Sequence, residues 1–148
     1  MTITLDLSPA ATREITAACE RLSLDYAHFA DNGDTAAWAQ LFAEDGELRL
    51  FGQTFVGRDA IAGATGGGSG NGSLHLASNI RVNVVSEDRA EGTCYVAAYL
   101  RPAGAPKAVA TLAPAAVGVY RDTYRRTADG WRFASRAFEP FLTLKAPA

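Results

Sequence analysis

The feature that most constrains the fold is a change of hydrophobic period along the chain. Early apolar residues recur every three or four positions, which is the spacing of one buried helix face. These residues are Ile15, Cys19, Leu22, Tyr26 and Phe29. Later, Ile80, Val82 and Val84 alternate with polar residues, which is the period of a half-buried strand. Helices followed by strands predict an α+β fold in which the helices pack against one sheet.

The first part of the chain predicts three helices. Ser8 followed by Pro9 is typical of an N-cap and a first helical position, and the long helix is expected to end near Ala30. Asp34 is expected to cap a second, short helix. A third short helix is predicted over Ala60 to Ala64.

The remaining chain predicts strands joined by polar turns. Asp45-Gly46 is expected to form a turn ahead of a short hairpin around Gly52. The predicted strands are Leu48–Phe51, Thr54–Val56, Leu74–Val85, Thr93–Leu100, Val117–Arg126 and Trp131–Phe141. Three helices on the concave side of a curved, mostly antiparallel sheet would make a cone-shaped roll that encloses a pocket. We expect residues 1–148 to form a single domain of this kind.

Composition excludes several classes of partner and site. With 48% hydrophobic and 20% charged residues, the chain lies in the ordinary globular range. A net charge of −2 gives no electrostatic reason to bind nucleic acid or an anionic membrane. Cys19 and Cys94 are far apart and form neither a disulfide framework nor a metal motif, so a reduced, cytoplasmic protein is expected. The N-terminus does not have the pattern of a signal peptide.

Histidine is scarce, since the chain has only His28 and His75. A three-histidine zinc site is therefore excluded, and any histidine chemistry must use one of these two. His28 lies three residues before Asp31 but beside the apolar helix face, so we expect it to be exposed. His75 opens a strand just after Gly66–Gly72. That glycine-rich run matches no phosphate-binding motif and predicts a flexible loop.

The individual candidate residues leave more than one interpretation open. Asp31 lies at the negative end of the long helix, where it either takes part in a turn or belongs to a site. His75 among apolar residues is either a satisfied core residue or a base. Tyr26, taken alone, is typical of the core. No nucleophile elbow and no HExxH motif is present.

Six short motifs follow one another over nearly the whole chain. They are Tyr26-Ala-x-x-x-Asp31-x-x-Asp34, Trp38-x-x-Leu41-Phe42-x-x-Asp45-Gly46, Gly57-Arg58-x-x-Ile61, His75-x-x-x-Asn79, Gly118-x-Tyr120-x-Asp122-x-Tyr124-x-Arg126 and Asp129-Gly130-Trp131-Arg132-Phe133. In this order they resemble the SnoaL-like family, within the cone-shaped superfamily that includes nuclear transport factor 2. By motif, the nearest branch resembles scytalone dehydratase and hexachlorocyclohexane dehydrochlorinase.

The resemblance implies roles for four residues. A histidine on the first long strand is the general base in that branch, and an aspartate at the end of the first helix orients it. These roles correspond to His75 and Asp31. A substrate-binding tyrosine corresponds to Tyr26, and an arginine on the penultimate strand corresponds to Arg126, with neighbouring Arg125 as the alternative.

The resemblance also implies an activity. We expect a lyase of the dehydratase type, or an isomerase, that removes a C–H proton from a small, largely apolar, cyclic substrate. A neutral imidazole, with an ordinary pKa of about 6.5, suits this step, and no metal or cofactor is needed. The alternatives are a polyketide-cyclase-like enzyme with Asp-centred acid–base chemistry, or a non-catalytic domain for ligand binding or assembly. Relatives of this fold commonly pair through the open sheet face, so a homo-oligomer, either dimer or trimer, is expected.

Overall fold

A computed structural model describes residues 6–64 and 72–143. Apart from Gly72, the glycine-rich run predicted as a flexible loop lies outside these residues. The described helices are α1 (Pro9–Asn32), α2 (Thr35–Gln40) and α3 (Arg58–Gly63). The described strands are β1 (Phe42–Leu50), β2 (Gln53–Val56), β3 (Gly72–Val84), β4 (Arg89–Arg101), β5 (Ala116–Thr127) and β6 (Gly130–Thr143).

Local capping sets the two ends of α1. The Ser8 hydroxyl accepts a hydrogen bond from the Ala11 amide at 3.1 Å, and Pro9 begins the helix. Gly33 ends it in the left-handed conformation, with φ +69°, which glycine adopts without a side-chain clash. The helix therefore runs two residues beyond the predicted end at Ala30.

The six strands form one mixed sheet in the order β2-β1-β6-β5-β4-β3. Every neighbouring pair is antiparallel except β1 and β6, which are parallel. The helices pack on one face of this sheet, and α1 lies along β3. Apolar residues of α1, α2 and the inner sheet face form the core. The predicted α+β class with a mostly antiparallel sheet is confirmed.

The predicted turn at Asp45-Gly46 is wrong. β1 begins at Phe42 and continues through both residues, because its pairing with β6 is irregular between Phe42 and Glu47. The irregularity admits these turn-forming residues inside a strand. The hairpin around Gly52 does form, with Phe51 and Gly52 both at positive φ, as a two-residue type I′ turn requires.

A β-bulge in β3 decides which residues face the helices. Ser78 pairs with Tyr95 and Arg81 pairs with Thr93, so β3 has one residue more than β4 over this interval. Asn79, inside the bulge, has φ +49°, a conformation that asparagine tolerates better than most residues. The extra residue shifts the alternation by one, so odd-numbered residues face inward before the bulge and even-numbered residues face inward after it. His75 consequently lies on the inner face although Arg81, another odd-numbered residue, lies on the outer face.

No helix in the described ranges is long and apolar enough to cross a membrane.

Candidate active site

The C-terminal turn of α1 and the start of β3 bring Asp31 and His75 together. Asp31 Oδ1 lies 2.6 Å from His75 Nδ1, and Asp31 Oδ2 accepts the backbone N–H of His75 at 2.9 Å. One carboxylate thus binds both the ring and the backbone of the same histidine. This double contact fixes where the His75 ring lies relative to α1.

A third donor completes the surroundings of the Asp31 carboxylate. The hydroxyl of Ser73, two residues before His75 on the same face of β3, donates to Oδ1 at 3.0 Å. A carboxylate at the C-terminal end of a helix meets the negative end of the helix dipole. The three hydrogen bonds from β3 compensate for that unfavourable position.

The contact with Asp31 determines which His75 nitrogen is free. An ionised carboxylate only accepts hydrogen bonds, so Nδ1 carries the proton and Nε2 of the neutral ring keeps its lone pair. The side chains of His75 and Asp31 are 19% and 16% exposed. This partial burial strengthens their electrostatic interaction relative to water. Such an arrangement can accept a proton at Nε2 and stabilise the resulting imidazolium.

Tyr26 lies in the interior, inside a group of aromatic rings. Its ring centroid is 5.1 Å from that of Trp38 and 5.3 Å from that of Tyr120. Burial raises the pKa of Tyr26 well above its usual value, and burial also raises that of Tyr120. The two hydroxyls are hydrogen-bonded to each other and stay protonated at neutral pH. Substrate binding by Tyr26 remains a prediction.

The structure does not bring Arg126 to the dyad, and substrate binding by Arg126 remains a prediction. The strand register aligns His75 with Ala116 at the start of β5, through β4. Arg126 lies ten residues further along β5, or roughly 33 Å in an extended strand, and its side chain is exposed. Arg125 is not at the dyad either, since it forms an ion pair with exposed Asp45.

A buried arginine that the sequence reasoning missed is Arg136 on β6. Its side chain and that of Asp122 are fully buried, and they form two hydrogen bonds of 2.8 Å. Ser23 of α1 accepts a further bond from Arg136 Nη2 at 2.7 Å. The guanidinium carbon also lies 4.2–4.4 Å from the ring centroids of Tyr26, Tyr120 and Phe133.

The electrostatics of Arg136 keep it charged. Burial alone lowers the pKa of its guanidinium, but Asp122 outweighs this effect and raises the pKa above its usual value. Arg136 Nη1 is buried without a hydrogen-bond partner among the described residues. A buried, unsatisfied donor is costly, so Nη1 is a candidate to bind an acceptor atom of a ligand.

A second bulge explains why Arg136 was missed. Tyr124 pairs with Phe133, whereas Thr123 pairs with Ser135, so β6 has one extra residue there. Phe133 and Arg136 therefore share the inner face although simple alternation places them on opposite faces. The sequence does contain one signal for this arginine. Asp122 lies between Tyr120 and Tyr124 on the inward-facing positions of β5, and a buried carboxylate requires a partner.

The other reactive side chains lie outside this arrangement. His28 is exposed, as predicted, with the Asn32 amide 3.4 Å from its Nδ1. Cys19 and Cys94 are free and buried, and burial raises the pKa of Cys19 to about 12. Within residues 6–64 and 72–143, no three His, Cys, Asp or Glu side chains are placed to hold a metal ion.

Comparison with protein families supports the motif-based assignment. A family model described as a SnoaL-like domain matches residues 11–137. The chain belongs to the SnoaL-like family. The predicted family is confirmed. No curated protein matches the sequence.

Several solved structures are similar to this chain over nearly its whole length. A candidate scytalone dehydratase from Novosphingobium aromaticivorans is 26% identical, with a TM-score of 0.79 over 94% of this chain and 92% of that chain. A nuclear-transport-factor-2-like protein with a cystatin-like fold from the same organism is 29% identical, with a TM-score of 0.74 over 93% and 92%. A type 2 hexachlorocyclohexane dehydrochlorinase is 18% identical, with a TM-score of 0.71 over 95% and 99%. This last similarity concerns the fold alone.

Proposed function

We propose that this SnoaL-like protein is a cofactor-independent lyase of the dehydratase type, or an isomerase, with His75 as general base and Asp31 as its orienting group. The observation that carries the proposal is the double contact of Asp31 with the His75 ring and backbone. Family membership supports it. So does the similarity to a candidate scytalone dehydratase, whose name denotes a small-molecule elimination.

The proposed step is removal of a carbon-bound proton. His75 Nε2 accepts the proton, and the C–H electron pair forms a new carbon–carbon double bond. In an elimination, a leaving group departs from the adjacent carbon with its own electron pair. In an isomerisation, an existing double bond shifts and the imidazolium returns the proton to another carbon. Asp31 stabilises the imidazolium, and general-base catalysis of this kind contributes roughly 10²–10⁴-fold.

The proposed substrate is small, largely apolar and cyclic, and it carries an acceptor atom. The aromatic rings around Tyr26 offer apolar contact and edge-to-face packing. The free Nη1 of Arg136 is a donor for an oxygen or halogen of the substrate, and so is the one hydroxyl of the Tyr26–Tyr120 pair that does not donate to the other. A positive charge at Arg136 would also stabilise negative charge that develops on such an acceptor.

A cleft with the dimensions of a small-molecule site lies at the same end of β3, but neither Asp31 nor His75 lines it. Its volume is about 390 Å³, and its lining includes Ser73, Leu74, Leu100 and Val109. Ser73 belongs both to this cleft and to the hydrogen bonds around Asp31.

A panel of small cyclic compounds tests the proposal. It contains enones, hydroxyketones and halogenated compounds, each with an activated C–H, offered to the wild-type protein without added cofactor. We expect an elimination or isomerisation product from at least one member, with slower turnover when that C–H is deuterated. Compounds that bind without being converted, across the whole panel, would contradict the proposal and favour the non-catalytic ligand-binding alternative.

A further inference from the structure

We infer that Ser73 is a positioning residue, which acts through Asp31 to keep the proton of His75 on Nδ1. The inference rests on the proposed function, because it gives Ser73 a role in preparing the base. Ser73 does not contact the reacting atoms in this role. Its effect passes through the carboxylate that it binds at 3.0 Å.

The Ser73 hydroxyl binds Oδ1, which is the Asp31 oxygen that also contacts the His75 ring. Oδ2 is held by the backbone N–H of His75, which fixes one oxygen but leaves the carboxylate plane able to rotate. Oδ1 receives both the Ser73 hydroxyl and His75 Nδ1. The His75 ring can rotate away from Oδ1, so the Ser73 hydroxyl is the donor that keeps Oδ1 in place and directed at Nδ1.

The place of β3 in the sheet makes these bonds more important. β3 is an edge strand, so among the described strands it pairs with β4 alone. The bonds of Ser73 and His75 to Asp31 tie this end of β3 to α1. Because residues two apart on a strand point to the same face, Ser73 and His75 reach one carboxylate without distorting the strand.

Ring nitrogen NMR tests the inference without any substrate. Ser73→Ala removes the hydroxyl, Ser73→Thr keeps it, and Ser78→Ala is the matched control on the exposed, opposite face of β3. We expect Nδ1 of His75 to be protonated in the wild type, Ser73→Thr and Ser78→Ala. In Ser73→Ala, the His75 signals should move toward the mixed tautomers of a free imidazole, while exposed His28 stays unchanged as the internal reference. Full Nδ1 protonation in Ser73→Ala would overturn the inference.

Steady-state kinetics provides the second readout. For a compound turned over by the wild type, Ser73→Ala should lower kcat by about tenfold with KM nearly unchanged, because a hydrogen bond to a charged group is lost. Ser73→Thr should restore most of kcat. Equal impairment of Ser73→Thr and Ser73→Ala would contradict the inference, since side-chain shape and not the hydroxyl would then matter.

The two readouts separate failure of the inference from failure of the proposed function. If Ser73→Ala changes the His75 tautomer but the wild type converts no compound, the positioning role stands and the proposed function fails. If the wild type is active and Ser73→Ala matches it in both readouts, the proposed function stands and the positioning role fails.

Discussion

Arg136 and Asp122 place a complete ion pair in the core, where charge is expensive unless it is paired and hydrogen-bonded. Both Asp122 oxygens accept from Arg136, and the Tyr124 hydroxyl also donates to Asp122 at 3.1 Å. The aromatic rings on either side of the guanidinium add cation–π attraction. The ion pair is tolerated in the core because its polar atoms, apart from Arg136 Nη1, are hydrogen-bonded.

Removing one member of this pair should be strongly destabilising. We expect Asp122→Ala to lower the free energy of unfolding by about 3–5 kcal/mol, because Arg136 is left charged and buried without its partner. Urea denaturation measures the change. Asp45→Ala, which breaks the exposed ion pair with Arg125, is the matched control and should leave stability nearly unchanged. A similar small effect for both variants would contradict this account of the core.

The buried thiols should be unreactive in the folded protein. Burial raises the pKa of Cys19 to about 12, and burial raises that of Cys94 as well. The reactive thiolate forms only as the pH approaches the pKa, so it is scarce between pH 7 and 9. Mass spectrometry after iodoacetamide treatment should find no label on the folded protein and two labels after unfolding in urea. Rapid labelling of the folded protein at pH 8 would show that these sites are open.

At the scale of elements, two bulges place the functional side chains. The bulge in β3 turns His75 inward, and the bulge in β6 turns Arg136 inward. Without the bulges, His75 would lie on the face opposite Ile80 and Val82, and Arg136 would lie on the face opposite Phe133. The bulges are thus part of the site although they lie some residues away from it.

Backbone conformation at the β3 bulge offers a direct test. Asn79 has φ +49°, which a β-branched residue adopts only with strain. We expect Asn79→Val to destabilise the protein by about 1–3 kcal/mol and to weaken the His75–Asp31 contact. Asn79→Gly, which adopts this φ freely, should retain both stability and the ring nitrogen signals of His75. An Asn79→Val protein as stable as Asn79→Gly would contradict the importance of the bulge.

Elements fixed by local chemistry were predictable from the sequence. The long helix follows from its apolar spacing and its Ser8 and Gly33 caps, and the hairpin follows from the turn at Gly52. These signals lie within a few residues of the structure they determine. Asp31 was accordingly placed at the end of α1 from sequence alone.

Features that depend on distant pairing were not predictable in the same way. Arg126 was matched to the site by its strand, but the register of β5 with β4 carries it to the far end. Arg136 was missed because a single extra residue in β6 reverses the alternation. The pairing of Asp31 with His75 was expected only through the family resemblance, since 44 positions separate them.

At the scale of the whole molecule, the outer face of the sheet is uncovered by the helices. Leu74, Leu76 and Tyr95 on this face are each at least half exposed. Arg81, Arg121 and Glu91 line another part of it. Exposed apolar residues beside charges of both signs favour contact with a second copy of the same chain. We therefore propose a homo-oligomer that buries this face.

Light scattering coupled to size-exclusion chromatography tests the proposed assembly. The wild type should elute as a dimer or trimer, and Leu76→Glu should shift it toward the monomer by placing a charge in the contact. Leu24→Glu is the matched control, because Leu24 is equally exposed but lies on α1. A wild-type monomer, or equal dissociation by both variants, would contradict an interface on the sheet.

Of the two histidines, His75 is the proposed base and His28 is not, and the paired variants His75→Ala and His28→Ala distinguish their roles. The measurement is kcat/KM for a compound that the wild type converts. We predict that His75→Ala lowers kcat/KM by roughly 10²-fold or more, since general-base catalysis is lost. His28→Ala should match the wild type, because His28 is exposed on α1 away from Asp31's contacts with β3. Turnover by His75→Ala within about threefold of the wild type would contradict the assignment of His75 as the base.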